Sequence, residues 1–215
     1  MISRKANHRR LPRLLRAIRR EQRAFTLIEL LCVLAIVGII IGIAVSAPNL
    51  WRSTDVTVAS NTVMEDLAYA RELAIANNEP TEVWFLRPVG STSFASSQIY
   101  AVDQSGNSSS YGTVHHLPAN LMMDSGSFLS PLFASGNQKS FSGSQAQPWI
   151  PGYGTSYQAW FVRFMPDGST TLSTSQQWYL TLHDVSLGDQ LKALPANYAM
   201  ISLDPMTGAV SLYRP

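Results

Sequence analysis

The 215-residue chain carries 16 Lys and Arg against 14 Asp and Glu, a formal charge of +2, and its length admits one medium domain with appendages. The charge is unevenly spread: residues 1–24 hold nine basic residues against Glu21 alone, a net +8, whereas the remainder holds seven against 13, a net −6. The single cysteine, Cys32, excludes an intrachain disulfide, so packing must hold the folded part together, and cysteine usage gives no sign of redox compartment.

A basic N-terminal run serves either as a nucleic-acid-binding arm or as a topogenic signal. An arm needs no apolar segment behind it, but here "FTLIELLCVLAIVGIIIGIAVSA" (25–47) follows, 23 residues whose one charge is Glu29. As a helix this run extends roughly 35 Å at about 1.5 Å per residue, and a bilayer core needs about 20 residues. Basic residues ahead of a span hold its N-terminus in the cytoplasm, so a single-pass anchor with a cytoplasmic N-terminus is expected. The competing reading is a secretory signal cleaved at "AVSA" (44–47). Against it, the apolar run exceeds a normal signal core, and Pro48 would become the first mature residue, where signal peptidase tolerates proline badly. Cys32 follows Glu29-Leu30-Leu31 rather than the small residues of a lipid-modification site, which leaves an inert thiol in the membrane.

The residues "AFTLIE" (24–29) resemble the type IV prepilin cleavage and methylation motif, with Ala24 where the family usually has glycine. The resemblance implies cleavage by a prepilin peptidase between Ala24 and Phe25, followed by methylation of Phe25. Glu29 would become the fifth mature residue, where the family carries its acid. The resemblance further implies a filament-assembly salt bridge between Glu29 of one subunit and the new α-ammonium of Phe25 on a neighbour. Such an ammonium has an unperturbed pKa of about 7.7–8.0 and is mostly cationic at neutral pH. The bland alternative is that Glu29 snorkels to the headgroups.

Beyond Pro48 the pattern becomes one-sided. Val56, Ala59, Val63, Leu67, Ala70 and Ala74 recur at spacings of three and four, one helical stripe. A stop is expected near Asn77-Asn78, ahead of Pro80, and a kink at Pro48. Strands are expected at "TEVWFLR" (81–87), "SQIYAVD" (97–103), "YGTVHHL" (111–117), "QAWFVRF" (158–164), "QQWYLTLHD" (176–184), "NYAMISLD" (197–204) and "GAVSLYR" (208–214). "MPDG" (165–168) and "DPMTG" (204–208) read as turns between them. Residues 125–156 hold 13 Ser or Gly among 32, a composition that suits a long exposed loop. Its Phe128, Phe133, Phe141 and Trp149 either anchor it to the head or mark a partner surface.

The expected fold class is α+β: a long N-terminal helix packed on an antiparallel β-sheet head. Its parts would be a cleaved leader (1–24), a transmembrane helix (25–47), an amphipathic continuation (48–79) and a β-rich head (80–215) with the Ser/Gly-rich loop 125–156. A second resemblance supports this layout. "LAYARELAIANN" (67–78), the turn from Phe164 to Gly168, and Asp204 to Val210 are similar to the patterns of H-type minor pseudopilins and FimT-type minor pilins. The segments 178–184 and 197–215 look more specifically like the D subfamily of the verrucomicrobial prepilin cassette.

Chemistry is sparse. Adjacent His115 and His116 would point to opposite faces of a strand, His183-Asp184 lacks further ligands at metal spacing, and no G-x-S-x-G elbow occurs. The two turns hold too few carboxylates for a calcium cage. No catalytic residue, metal or cofactor is expected. DNA capture needs a basic surface, and in the pilins that use one, arginines follow the final glycine. Here Gly208 is followed by Ala209, Val210 and Ser211, with Arg214 alone. The resemblances therefore imply a minor pseudopilin, a non-enzymatic assembly subunit of a type II secretion or type IV pilus-like filament. Its expected partners are the prepilin peptidase/methyltransferase, other major and minor pseudopilins, an inner-membrane assembly platform and the membrane itself, with nucleic acid not expected. It would lie in the bacterial inner membrane, head periplasmic, or in a filament. The alternative is a minor pilin whose head binds DNA or another extracellular ligand.

Overall fold

The computed structural model describes residues 26–46, 48–141 and 146–215, with the side chains of 43–53 and Ser135 outside that description. Ala24, Phe25 and Ala47 therefore lie outside the described residues. The chain divides into two compact units, Met1–Ser46 and Ala47–Pro215.

The first unit contains helix α1, Leu27–Ser46, 20 residues long. Its side chains are exposed from Thr26 to Gly42, including Leu27, Ile28, Leu34 and Ile39. Among the described residues no helix is long and apolar enough to cross a membrane. Both ends of the expected span, Phe25 and Ala47, fall outside them.

The second unit begins with helix α2, Pro48–Asn77. All six residues of the expected stripe, from Val56 to Ala74, are buried in one core. Asn78 adopts φ +53°, the left-handed position that closes a helix, and Pro80 follows. Eight strands come next: β1 (Thr81–Pro88), β2 (Ser96–Val102), β3 (Ser108–His116), β4 (Leu121–Met123), β5 (Tyr157–Phe164), β6 (Trp178–Asp184), β7 (Tyr198–Leu203) and β8 (Val210–Tyr213). They form two antiparallel sheets of four strands, ordered β3-β2-β1-β5 and β4-β6-β7-β8. The short β4 was not expected, because three apolar residues cannot display an alternation.

Helix α2 lies against both sheets. Its stripe meets Val83, Phe85, Val162 and Phe164 from the first, and Leu180, Leu182 and Ile201 from the second. Because strand side chains alternate between faces, Trp84 and Leu86 point the other way. There they form a second core with Tyr100, Ile150, Tyr157 and Ala159.

This second core corrects the expectation of an exposed loop over 125–156, and two of the segment's aromatics, Phe133 and Phe141, anchor it to the head. Phe141 packs edge-on to Trp84 at 5.5 Å, and Ile150 is buried. Leu129, Leu132 and Phe133 are buried as well, with Phe133 stacked on Phe94 at 4.0 Å. Of the four aromatics singled out, only Phe128 and Trp149 stay exposed, at 55% and 70%.

Candidate functional site

At the start of α1, the Glu29 backbone N–H donates to Thr26 Oγ1 at 3.3 Å, which makes Thr26 an N-cap. Thr26-x-x-Glu29 has the spacing of a capping box, and a carboxylate in the first turn complements the helix dipole. Glu29 is exposed. The spacing thus offers the acid a local role at the helix start.

The two glycine turns, separate in sequence, meet at Arg71. Its Nε donates to Thr207 O at 2.8 Å and to Gly168 O at 3.2 Å, while Thr170 N donates to Pro205 O at 2.9 Å. The motif on α2 and the two turn motifs are therefore one clamp fixing the helix to both sheets. Asp167 and Asp204 are held below the usual carboxylate range, chiefly by the Ser169 side chain and the Met206 backbone N–H respectively, which keeps both turns ionised and closed. Gly208 has φ +65°, and a Cβ there would lie 2.2 Å from Gly168 O. Gly208→Ala should therefore push the turns apart and lower stability by about 1–3 kcal/mol, read as a reduced urea midpoint. A midpoint equal to wild type would show that the clamp is not closed at this glycine.

The three histidines among the described residues are occupied by structural contacts. On opposite faces of β3, His115 Nδ1 lies 2.7 Å from Asp66 Oδ1 on α2, and His116 Nδ1 lies 2.8 Å from Ser96 Oγ. Burial raises the pKa of Asp66, against the lowering effect of its bonds to Ser97 and His115. The buried His183 Nε2 lies 3.1 Å from Asp124 Oδ2, which also accepts from the Leu191 N–H. Among the described residues no group of three or more His, Cys, Asp or Glu could hold a metal.

Sequence reasoning missed the most charged interior feature. Glu82 is fully buried. Its Oε1 accepts from Arg163 Nε and Nη2 at 2.9 and 2.5 Å, and its Oε2 from Trp84 Nε1 at 2.6 Å and Lys139 Nζ at 2.8 Å. A lone carboxylate inside the apolar strand "TEVWFLR" was the available signal; its cations sit 57 and 81 residues away.

The family described as the prokaryotic N-terminal methylation motif matches residues 19–45. That motif stands ahead of an α-helix packed on antiparallel sheets. No curated protein matches. Among solved structures, it is similar to the minor pseudopilin EpsH from the type 2 secretion system of Vibrio cholerae: 9% identity, TM-score 0.43, 75% of this chain and 98% of that one. It is also similar to the type IV minor pilin FimU of Pseudomonas aeruginosa: 14% identity, TM-score 0.44, 75% of this chain and 93% of that one.

Proposed function

We propose that the chain is a minor pseudopilin, a structural subunit of a type II secretion or type IV pilus-like filament. The observation that carries this reading is the methylation motif at 19–45 running directly into α1, whose apolar side chains are exposed from Leu27 to Ile41. So large an apolar surface must be covered, first by lipid and then, in a filament, by neighbouring helices. Residues 1–24 are the leader, removed by a prepilin peptidase that then methylates Phe25. The helix anchors the chain in the inner membrane with its N-terminus cytoplasmic and its head periplasmic. Other pseudopilins and an assembly platform are its partners, and no catalytic step is assigned to it. The finer kinship with the verrucomicrobial cassette rests on the C-terminal motifs alone.

Binding of DNA by the head is disfavoured by how five of the six cations with described side chains are used, Lys192 alone of the six standing exposed without a contact of this kind. Arg71 is tied to two carbonyls, Lys139 and Arg163 to Glu82, Arg87 to Gln158, and Arg214 to Thr57 and Asn197. A phosphate-binding surface needs such cations turned outward.

Intact-mass measurement on protein extracted from membranes tests the processing step. The expected species lacks residues 1–24 and carries one added methyl group. A terminus at Met1 or at Pro48 would rule out prepilin processing.

A further inference from the structure

The outer face of β2 and β3 opens into a cleft of about 450 Å³, walled on one side by Pro148, Trp149 and Pro151. That volume lies within the roughly 300–1,000 Å³ typical of small-ligand sites. The cleft exists because β3 is bulged. Ser97 pairs with His115 and Ile99 with Tyr111, so β3 runs two residues longer than β2 over the same interval, with Gly112 at φ +74°. Bulges of this kind bend a strand and re-aim its side chains.

The wall is held firmly. Ile150 is buried in the second core, its N–H donates to Gly154 O at 2.9 Å, and Tyr153 stacks on His116 while its hydroxyl bonds to Ser96 Oγ. Yet Trp149, between two anchored neighbours, keeps 70% of its surface in solvent. Packing explains the other large residues of this turn and does not explain this one.

The floor is neutral and mostly polar. Gln98, Ser108, Ser110 and Thr113 line it beside Tyr100 and Val114, with His116 at the end, and no carboxylate, lysine or arginine contributes. The Tyr100 hydroxyl donates to Gln98 Oε1 at 2.9 Å, which orients the amide with its nitrogen as the donor end. Such a lining supplies no cation to neutralise a phosphate and only one histidine to a metal ion. A ligand with hydroxyls along its edge and an apolar C–H face satisfies both halves of the cleft, the face lying on an indole that is large and rigid.

We propose that this cleft binds a neutral oligosaccharide, stacked on Trp149 and hydrogen-bonded by Gln98 and the β3 hydroxyls. A partner strand added to β3 is the competing occupant. It would use the main-chain edge of the sheet, whereas Trp149 and Gln98 line the sheet's face. The proposal does not depend on the assembly role above, and its failure would leave Glu29 untouched.

The test is calorimetric titration of the full-length protein, in a detergent whose head group is not a sugar, with cellotetraose, maltotetraose and fully N-acetylated chitotetraose. Saturable binding of at least one probe is expected, weakened roughly tenfold or more in Trp149→Ala and partly retained in Trp149→Phe, with an unchanged urea midpoint in both. The proposal is overturned if none of the three binds, if Trp149→Ala binds as wild type does, or if a photo-crosslinker at position 149 captures a neighbouring subunit in assembled filaments.

Discussion

Glu29→Gln is expected to be trimmed and methylated normally and yet to be nearly absent from assembled filaments. The substitution separates the two roles open to this acid. Glutamine satisfies a capping box as well as glutamate does, so the start of α1, held by Thr26 Oγ1, should survive. What glutamine removes is the charge. If the carboxylate of one subunit meets the α-ammonium of Phe25 on the next within lipid, its loss leaves a cation uncompensated, at about 3–5 kcal/mol. That corresponds to a disadvantage of at least about a hundredfold for each subunit added. Thr26→Ala is the complementary control: it weakens the cap by about 0.5–2 kcal/mol and leaves the charge in place, so its incorporation should fall far less. Quantifying both variants in sheared filament and membrane fractions checks the prediction. Wild-type incorporation of Glu29→Gln would reduce Glu29 to a helix-start residue and remove the proposed assembly contact.

The largest effect on the head is expected from Glu82→Ala. The Lys139 side chain is only 11% exposed and Arg163 33%, and both point at a carboxylate that is fully buried. Removing it leaves two cations facing each other and the Trp84 indole N–H without its acceptor. Breaking a buried pair costs about 3–5 kcal/mol, against a total stability of roughly 5–15 kcal/mol for a typical domain. The damage should also be local. Lys139 lies over the Trp84 and Phe161 rings at 5.1 Å each, so it ties the 125–156 segment to the outer sheet face. Proteolytic cleavage within that segment should accelerate well before global unfolding. Replacing all three charges together, Glu82→Leu with Lys139→Met and Arg163→Met, should recover most of the lost stability, because an apolar set of similar volume avoids desolvating any ion. A urea midpoint for Glu82→Ala close to wild type would show that the network is idle.

The parts legible from sequence were those encoded over short distances. A basic N-terminal run, a six-residue motif and an apolar run of membrane length are contiguous, and the α2 stripe from Val56 to Ala74 is a period of 3.6. Strand positions came from runs of β-formers between glycine and proline turns. Composition misled where it averaged over unlike residues: thirteen Ser and Gly in 125–156 hid Leu129, Leu132 and Ile150, each of them buried.

Periodicity states which residues share a face and is silent on what covers that face. By itself the sequence determined a prepilin-type start, an amphipathic helix and a set of antiparallel strands, since each follows from local backbone preference and side-chain spacing. Only the tertiary structure decided that the outer face of β1 and β5 is covered as well as the inner one, that Arg71 joins two distant turns, and that Glu82 meets Lys139 and Arg163. Those pairings depend on strand order and register, which bring together side chains dozens of residues apart.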